Sequence, residues 1–217
     1  MSGWLNQGLF SRLSQASRAG KIELLRKRFS LQEGATVLDL GSQVDNGQIL
    51  EMRAGHGRVV AMNLMPEHLR RIGEQFPSAE RCVGNALHLP FPDQTFDLVY
   101  SNAVIEHVGS FEDQKAMARE VMRVGRNWFI ATPNRWFPFE FHMRLPLVSW
   151  LPAPQMKRVG KLCSYSHQER RYRSGIEQQI RLMTSAEMKQ LFPSSEVVAL
   201  RITAWPETLI AVGGADV

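Results

Sequence analysis

From residue 35 to about 132, the chain alternates short apolar runs with amphipathic stretches. Thr36–Leu40 (TVLDL) predicts a buried strand that stops at Gly41 and a polar turn, because a short apolar run bounded by turn residues suits a strand covered on both faces. Gln48–Arg53 fits a brief helix before the Gly55-His56-Gly57 break, and Arg58–Met62 (RVVAM) predicts a second strand. Pro66 then opens a helix over Glu67–Gln75, since proline's missing N–H costs nothing in a first turn. Glu80–Val83 is a weaker strand, Phe96–Ser101 (FDLVYS) a stronger one and Asn127–Ala131 a further one. Ser110 with Asp113 starts a helix that runs to about Val124. Later, Thr184-x-x-Glu187 forms a capping box for a helix stopping near Pro193, and Glu196–Ile202 and Glu207–Val212 predict closing strands. Such alternation implies an α/β fold, a parallel sheet with helices on both faces.

Two stretches break this rhythm. Residues 1–30 space Trp4, Leu5, Leu9, Phe10, Leu13 and Ala16 at near-helical intervals, and predict a basic amphipathic helix covering the core. Its Ser- and Arg-rich, acid-poor composition also resembles a mitochondrial transit peptide, and the same face would suit peripheral attachment to an anionic membrane. Residues 133–183 hold Pro133, Pro138, Pro146, Pro152 and Pro154, with Trp136, Phe137, Phe139 and Phe141 close together. They read as an insertion before the last helix and strands, either an aromatic lid or a hydrophobic plug on the sheet. In doubly wound sheets, ligands bind at the carboxyl ends of the strands, where such an insertion can close over them.

At 217 residues, 44% hydrophobic and 22% charged, the chain has an ordinary globular composition. Cys82 and Cys163 alone cannot build a disulfide framework or a four-thiolate zinc site; they fit a reducing compartment, and a cytoplasmic location is expected. No uninterrupted apolar run reaches the roughly 18–20 residues of a membrane span. The net charge of +5 is unevenly placed. Residues 1–30 set six basic residues against Glu23 alone, and residues 135–173 set eight against Glu140 and Glu169. Everything else is mildly acidic. That layout disfavours a uniform nucleic-acid-binding coat and points instead to two local basic surfaces.

Asp39-Leu40-Gly41 brings a carboxylate and a tight turn to the edge of the sheet, glycine there allowing positive φ and close backbone approach to a ligand. No phosphate-loop or Gly-x-Gly-x-x-Gly turn occurs, and no His-Glu-x-x-His or paired Cys-x-x-Cys nominates a metal. The informative block is 84–107, GNALHLPFPDQTFDLVYSNAVIEH. Gly84, Ala86, Leu89-Pro90-Phe91, Asp93, Phe96-Asp97, Val99 and Glu106-His107 closely resemble the central block of class I S-adenosylmethionine-dependent methyltransferases, in the type 11-like branch of small domains. Arg119-Glu120-Val121, Arg123-Val124, Thr132-Pro133-Asn134 and VLDLG at 37–41 extend the match. The resemblance implies a Rossmann-like doubly wound sheet of seven strands, mostly parallel with the last antiparallel, over residues 31–217. It also implies S-adenosylmethionine as cofactor. Asp39, Gly41, Ser42 and Gln43 would face its methionine portion, Asn63 and Leu64 the ribose, and Asn85, Ala86 and Leu87 the adenine. Ser101, Asn102 and His107 would border the methyl-transfer site.

Several positions depart from that family's pattern. Gln43 and Asp45 stand where the family has glycines, and Asn63 and Asn85 replace its ribose and adenine acids. Exchanging two charged hydrogen bonds for neutral ones weakens binding by roughly 1–4 kcal/mol; Asp45 could restore a charged contact to the cofactor's ammonium. His107 and His142, backed by Glu106 and Glu140, are the candidate general bases for O-methylation. The expected acceptor is a small, anionic or lipid-linked molecule recognised under the insertion, with peripheral membrane contact through 1–30 and 135–173 as an added feature. Arg170, Arg171 and Arg173 belong to its basic surface. A degenerate fold serving as a non-catalytic binding module is the alternative, argued from Gln43, Asp45, Asn63 and Asn85. A nucleic-acid methyltransferase is disfavoured, because no Asn/Asp-Pro-Pro-Tyr/Phe motif occurs.

Overall fold

The structure, a computed structural model, describes residues 3–53, 56–166, 171–175 and 180–215. Seven strands make one sheet: β1 (Thr36–Leu40), β2 (Arg58–Asn63), β3 (Glu80–Val83), β4 (Leu98–Asn102), β5 (Asn127–Pro133), β6 (Glu196–Arg201) and β7 (Pro206–Gly214). Their spatial order is β3-β2-β1-β4-β5-β7-β6. The first five are parallel, and β7 runs antiparallel to both of its neighbours. The sheet is therefore the predicted mostly parallel one. β3 reads weakly in sequence because it is an edge strand with largely exposed side chains.

Strand alternation sorts the core into two layers. Leu38, Leu40, Val60 and Met62 face the side covered by α4 (Phe111–Val124) and α6 (Ser185–Leu191). Val37, Val59 and Ala61 face the other side, under α1 (Gly3–Arg28), α2 (Gln48–Arg53) and α3 (Pro66–Gln75). Both predicted capping boxes are formed: Ser110 accepts from the Asp113 amide and Thr184 from that of Glu187, each acid returning a bond. The strand expected from Phe96 begins instead at Leu98; Phe96 is fully buried and bridges to Gly125.

α1 lies on the core through Leu25, followed by Phe29, and Gly20 meets Leu200 and Ile202 of the β6 region. The side chains of Trp4, Leu5, Leu9 and Phe10, which carried the amphipathic reading, lie outside the described residues, as does Arg170. Among the described residues, no helix is long and apolar enough to cross a membrane.

The insertion has its own architecture. A ribbon pairs Phe139–Glu140 with Leu145–Pro146, α5 spans Ala153–Leu162, and a second ribbon pairs Ser164–Ser166 with Arg171–Arg173. Met143, Val148, Met156 and Ile180 give it a separate small core. Phe141 and His142 of the insertion line a cavity at the edge of the sheet. Phe137 and Phe141 stack at 5.4 Å, while Trp136 is 51% exposed.

Candidate active site

Register places the site. Leu40 of β1 lies beside Met62 of β2 and Ser101 of β4, so Gly41, Asn63 and Asn102 emerge together at the carboxyl edge. Strand order reverses between β1 and β4, the position where such sheets bind ligands. Gly41 has φ +80°, and a Cβ there would lie 2.2 Å from Val104 Cγ2. The glycine therefore makes room for the protein's own valine rather than only for a ligand. Ala103, left-handed at φ 58°, turns the chain after β4 so that Val104 and His107 return over the cleft.

The cleft beside this turn has a volume of about 500 Å³. Gly41, Gln43, Asn63 and Leu64 line one side, and Asn85, Ala86, Leu87 and His107 the other. Gln43 is extended at φ −142°, a conformation that requires no glycine. Asp45 is exposed in the 3-10 turn Val44–Asn46 and does not line the cleft. The two non-glycine residues leave this space open.

Asn63 does work that an acid there could not. Asn63 Nδ2 donates to the Ser42 carbonyl at 2.8 Å while Oδ1 accepts from the Met65 amide at 2.9 Å. A carboxylate has no donor for Ser42, so Asn63 ties the β1 turn to the start of α3. Asn85 Oδ1 accepts from the Leu87 amide at 2.9 Å, closing its own turn.

Other expected cofactor residues stand behind the cleft wall. Asp39 is 3% exposed and accepts from Ser42 Oγ; burial pushes its carboxyl up to about 7, opposed by that bond. Ser101 Oγ donates to the Leu40 carbonyl at 3.0 Å and is buried. Tyr100, beside Asp39 in register, is core: its ring stacks on Phe129, its hydroxyl has no partner among the described residues, and burial raises its pKa.

Asn102 faces a second cavity of about 210 Å³, enclosed by α1, the ends of β4 and β5, and the insertion. Its Oδ1 accepts from Lys21 Nζ at 2.8 Å. Lys21 is 8% exposed, and burial pulls its pKa down to about 8 against the pull of Glu207 and Glu106. Sequence reasoning passed over Lys21. The available signal was its spacing of four residues from Ser17 and from Leu25, one buried helix face.

Beside this cavity the structure gathers His107, His142, Glu106 and Glu140. The 3-10 turn Ile105–His107 is held by Gln114, whose buried Nε2 donates to the Ile105 carbonyl at 3.0 Å. Glu106 is 0% exposed; Oε2 accepts from Thr132 Oγ1 at 2.9 Å, while Oε1 has no partner among the described residues. Glu140 Oε1 lies 2.7 Å from His142 Nδ1. Burial opposes ionisation of Glu140, but His142 and the amides of 142 and 143 outweigh it and hold its carboxyl below the usual range. Burial likewise disfavours the His142 cation, and Glu140, helped by Glu106, overcomes it and raises its pKa. The His107 and His142 rings meet edge to face at 4.8 Å. No sequence motif nominated a metal, yet Glu106, His107 and His142 each offer a ligand atom within 4.8 Å of the others.

A family model described as a methyltransferase domain matches residues 38–127. The solved structure of a Methanosarcina mazei SAM-dependent methyltransferase superposes with a TM-score of 0.59 at 19% identity, covering 88% of this chain and 97% of that one. The chain is thus similar to methyltransferase domains over residues 38–127 and shares the fold of SAM-dependent methyltransferases. Two curated proteins also resemble this domain. The 2-methyl-6-phytyl-1,4-hydroquinone methyltransferase of Synechocystis is 28% identical over 64% of this chain and 42% of its own length. The malonyl-[acyl-carrier protein] O-methyltransferase of Halorhodospira halophila is 37% identical over 41% of this chain and 30% of its own length. The aligned part is thus less than half of either relative.

Proposed function

We propose that this protein transfers a methyl group from S-adenosylmethionine to a small anionic or lipid-linked acceptor, at oxygen by preference. The observation that carries the reading is the pair of cavities. Ala103 lines both, so a ligand in the cleft and one in the pocket beneath α1 would meet at the end of β4. Holding two reactants in that relation is most of what a displacement reaction needs from a protein.

The cleft suits the cofactor in its donor set. The turns at the buried Asn63 and the exposed Asn85 sit beside apolar Leu64, Met65, Leu87 and Val108, a surface for a ribose and a purine ring. Gly41 and Gln43 offer the amino-acid end a turn backed by the buried Asp39 carboxyl. When bound, the cofactor supplies an electrophilic methyl group on a sulfonium. This chain's residues do the rest. Lys21 and Arg18 give the second pocket positive charge for an anionic acceptor, and Phe141 and Leu13 give it apolar wall. His142, oriented by Glu140, is placed to take a hydroxyl proton, with His107 at its edge.

The named acceptors of the two relatives support the acceptor class, one being a phytyl hydroquinone and the other a malonyl thioester. The exposed Trp136, Trp150 and Trp205 extend the reading to peripheral contact with a lipid surface. A non-catalytic binding module is the weaker reading, because Gln43 and Asp45 do not fill the cleft.

The test is calorimetric titration of the full chain with S-adenosylmethionine and S-adenosylhomocysteine. Saturable one-site heat is expected; a flat titration up to millimolar ligand overturns the reading. Labelled cofactor offered with a panel of quinols and acyl thioesters should then mark its acceptor by mass.

A further inference from the structure

We infer that Glu106, His107 and His142 form a binding site for one divalent transition-metal cation, set between the cofactor cleft and the acceptor pocket. Four observations lead there. First, the three side chains come from two chain segments and place one ligand atom each within 4.8 Å of the others. Second, Glu106 is wholly buried with Oε1 unpartnered among the described residues. A buried carboxylate oxygen without a donor is costly unless something positive completes it. Third, Glu140 holds His142 through Nδ1 at 2.7 Å. A carboxylate on one ring nitrogen fixes the tautomer and presents the other to a metal, the usual outer-shell arrangement. Fourth, His107 lines the cofactor cleft and His142 the acceptor pocket, so a cation between them touches both spaces.

The local charge agrees. Glu106, Glu140 and Glu207 are all buried here, while Lys21 is the buried ammonium beside them and gives its hydrogen bond to Asn102. Two imidazoles and one carboxylate suit zinc, cobalt, manganese or iron(II) rather than calcium or magnesium, which prefer all-oxygen shells. Donors about 2.1 Å from one ion lie no more than about 4.2 Å apart, so the side chains must close slightly. His107 is exposed, and its ring meets that of His142 edge to face. Three protein ligands leave positions open toward the acceptor pocket. With the cation bound, His142 is a ligand rather than the base; an acceptor hydroxyl on the ion would be held beside the cleft and would release its proton to solvent more readily. That role rests on the methyltransferase reading; the binding site itself does not.

Cobalt(II) is the probe, because its visible spectrum reports nitrogen and oxygen ligands without any turnover. The full chain, stripped with EDTA, should take up one cobalt per chain with a saturable ligand-field band, and zinc should displace it. Glu106→Gln and His142→Ala should each weaken uptake by at least about tenfold, and Glu140→Gln by about 10- to 100-fold. His68→Ala, at a half-buried position on α3, should leave it unchanged. Thermal melting and S-adenosylhomocysteine affinity, measured on the same variants, separate lost ligands from lost folding. Absent cobalt saturation, or uptake unaffected in folded His142→Ala and Glu140→Gln, overturns the site. Cobalt uptake without any cofactor binding would leave the site standing and overturn the proposed methyl transfer instead.

Discussion

The cofactor cleft and the pocket beneath α1 meet at Ala103, yet they are built on opposite principles. The cleft is made of turns. Its polar side chains are neutral amides that bond their own neighbours, Asn63 to Ser42 and Met65, Asn85 to Leu87. The pocket is made of buried charge. Lys21, Glu106, Glu140, His142 and Glu207 converge from the first helix, the turn after β4, the insertion and the last strand. A cleft of turns can tolerate substitution as long as the backbone path is kept. A pocket of buried charge is coupled, so removing one group shifts the electrostatic balance of the others.

The largest expected effect tests that dependence. His142→Ala should lower methyl transfer by about 10²- to 10⁴-fold, while S-adenosylhomocysteine affinity by calorimetry stays within about twofold; a parallel loss of both would erase the distinction between the two regions. Asp39 sharpens the contrast from the cleft side, where it is the one buried acid. Its raised pKa means that its contribution to stability is fully present below the ordinary value of 3.8 and is lost as pH rises through about 7. Asp39→Asn should therefore remove part of the decline in melting temperature between pH 4 and 8, and exceed wild type at pH 8 by on the order of 4 kcal/mol. An unchanged pH profile would show that the carboxylate is better solvated than its burial implies.

Lys21 carries the opposite sign. With its pKa depressed to about 8, its contribution is present above 10.5 and lost as pH falls through 8, so at pH 7 the folded state bears a disfavoured charge. Lys21→Met should gain about 1–3 kcal/mol in chemical denaturation at pH 7 and raise KM for an anionic acceptor. Lower stability together with unchanged KM would make Lys21 structural. The smallest effect lies at Asn63. Asn63→Asp removes the donor to Ser42 and should cost about 1–3 kcal/mol without tightening cofactor binding. Tighter binding would return that position to the ribose role that the family pattern implies.

Much of the cleft was legible because its residues are contiguous. VLDLG at 37–41 and the run 84–107 carry strand, turn and return in one reading frame, and Ser110 and Thr184 announced their helices through local capping chemistry. Gln43, Asp45, Asn63 and Asn85 depart from the family pattern; Gln43 sits in ordinary extended backbone, and both asparagines bond the turns around them. The insertion's prolines and aromatics hid a small core around Met143 and Met156.

By itself the sequence determined the order of strands and helices, the carboxyl edge where ligands gather, and the residues of the cofactor turn. Those depend on periodicity, caps and short-range steric rules, which act within a few residues. Only the tertiary structure decided that Lys21 would be buried against Asn102, or that Glu106 would stand unpartnered beside His107 and His142. No local pattern encodes these, because burial of a charge depends on what the rest of the chain lays over it. Here the covering comes from α1 at one end of the chain and the insertion and β7 near the other.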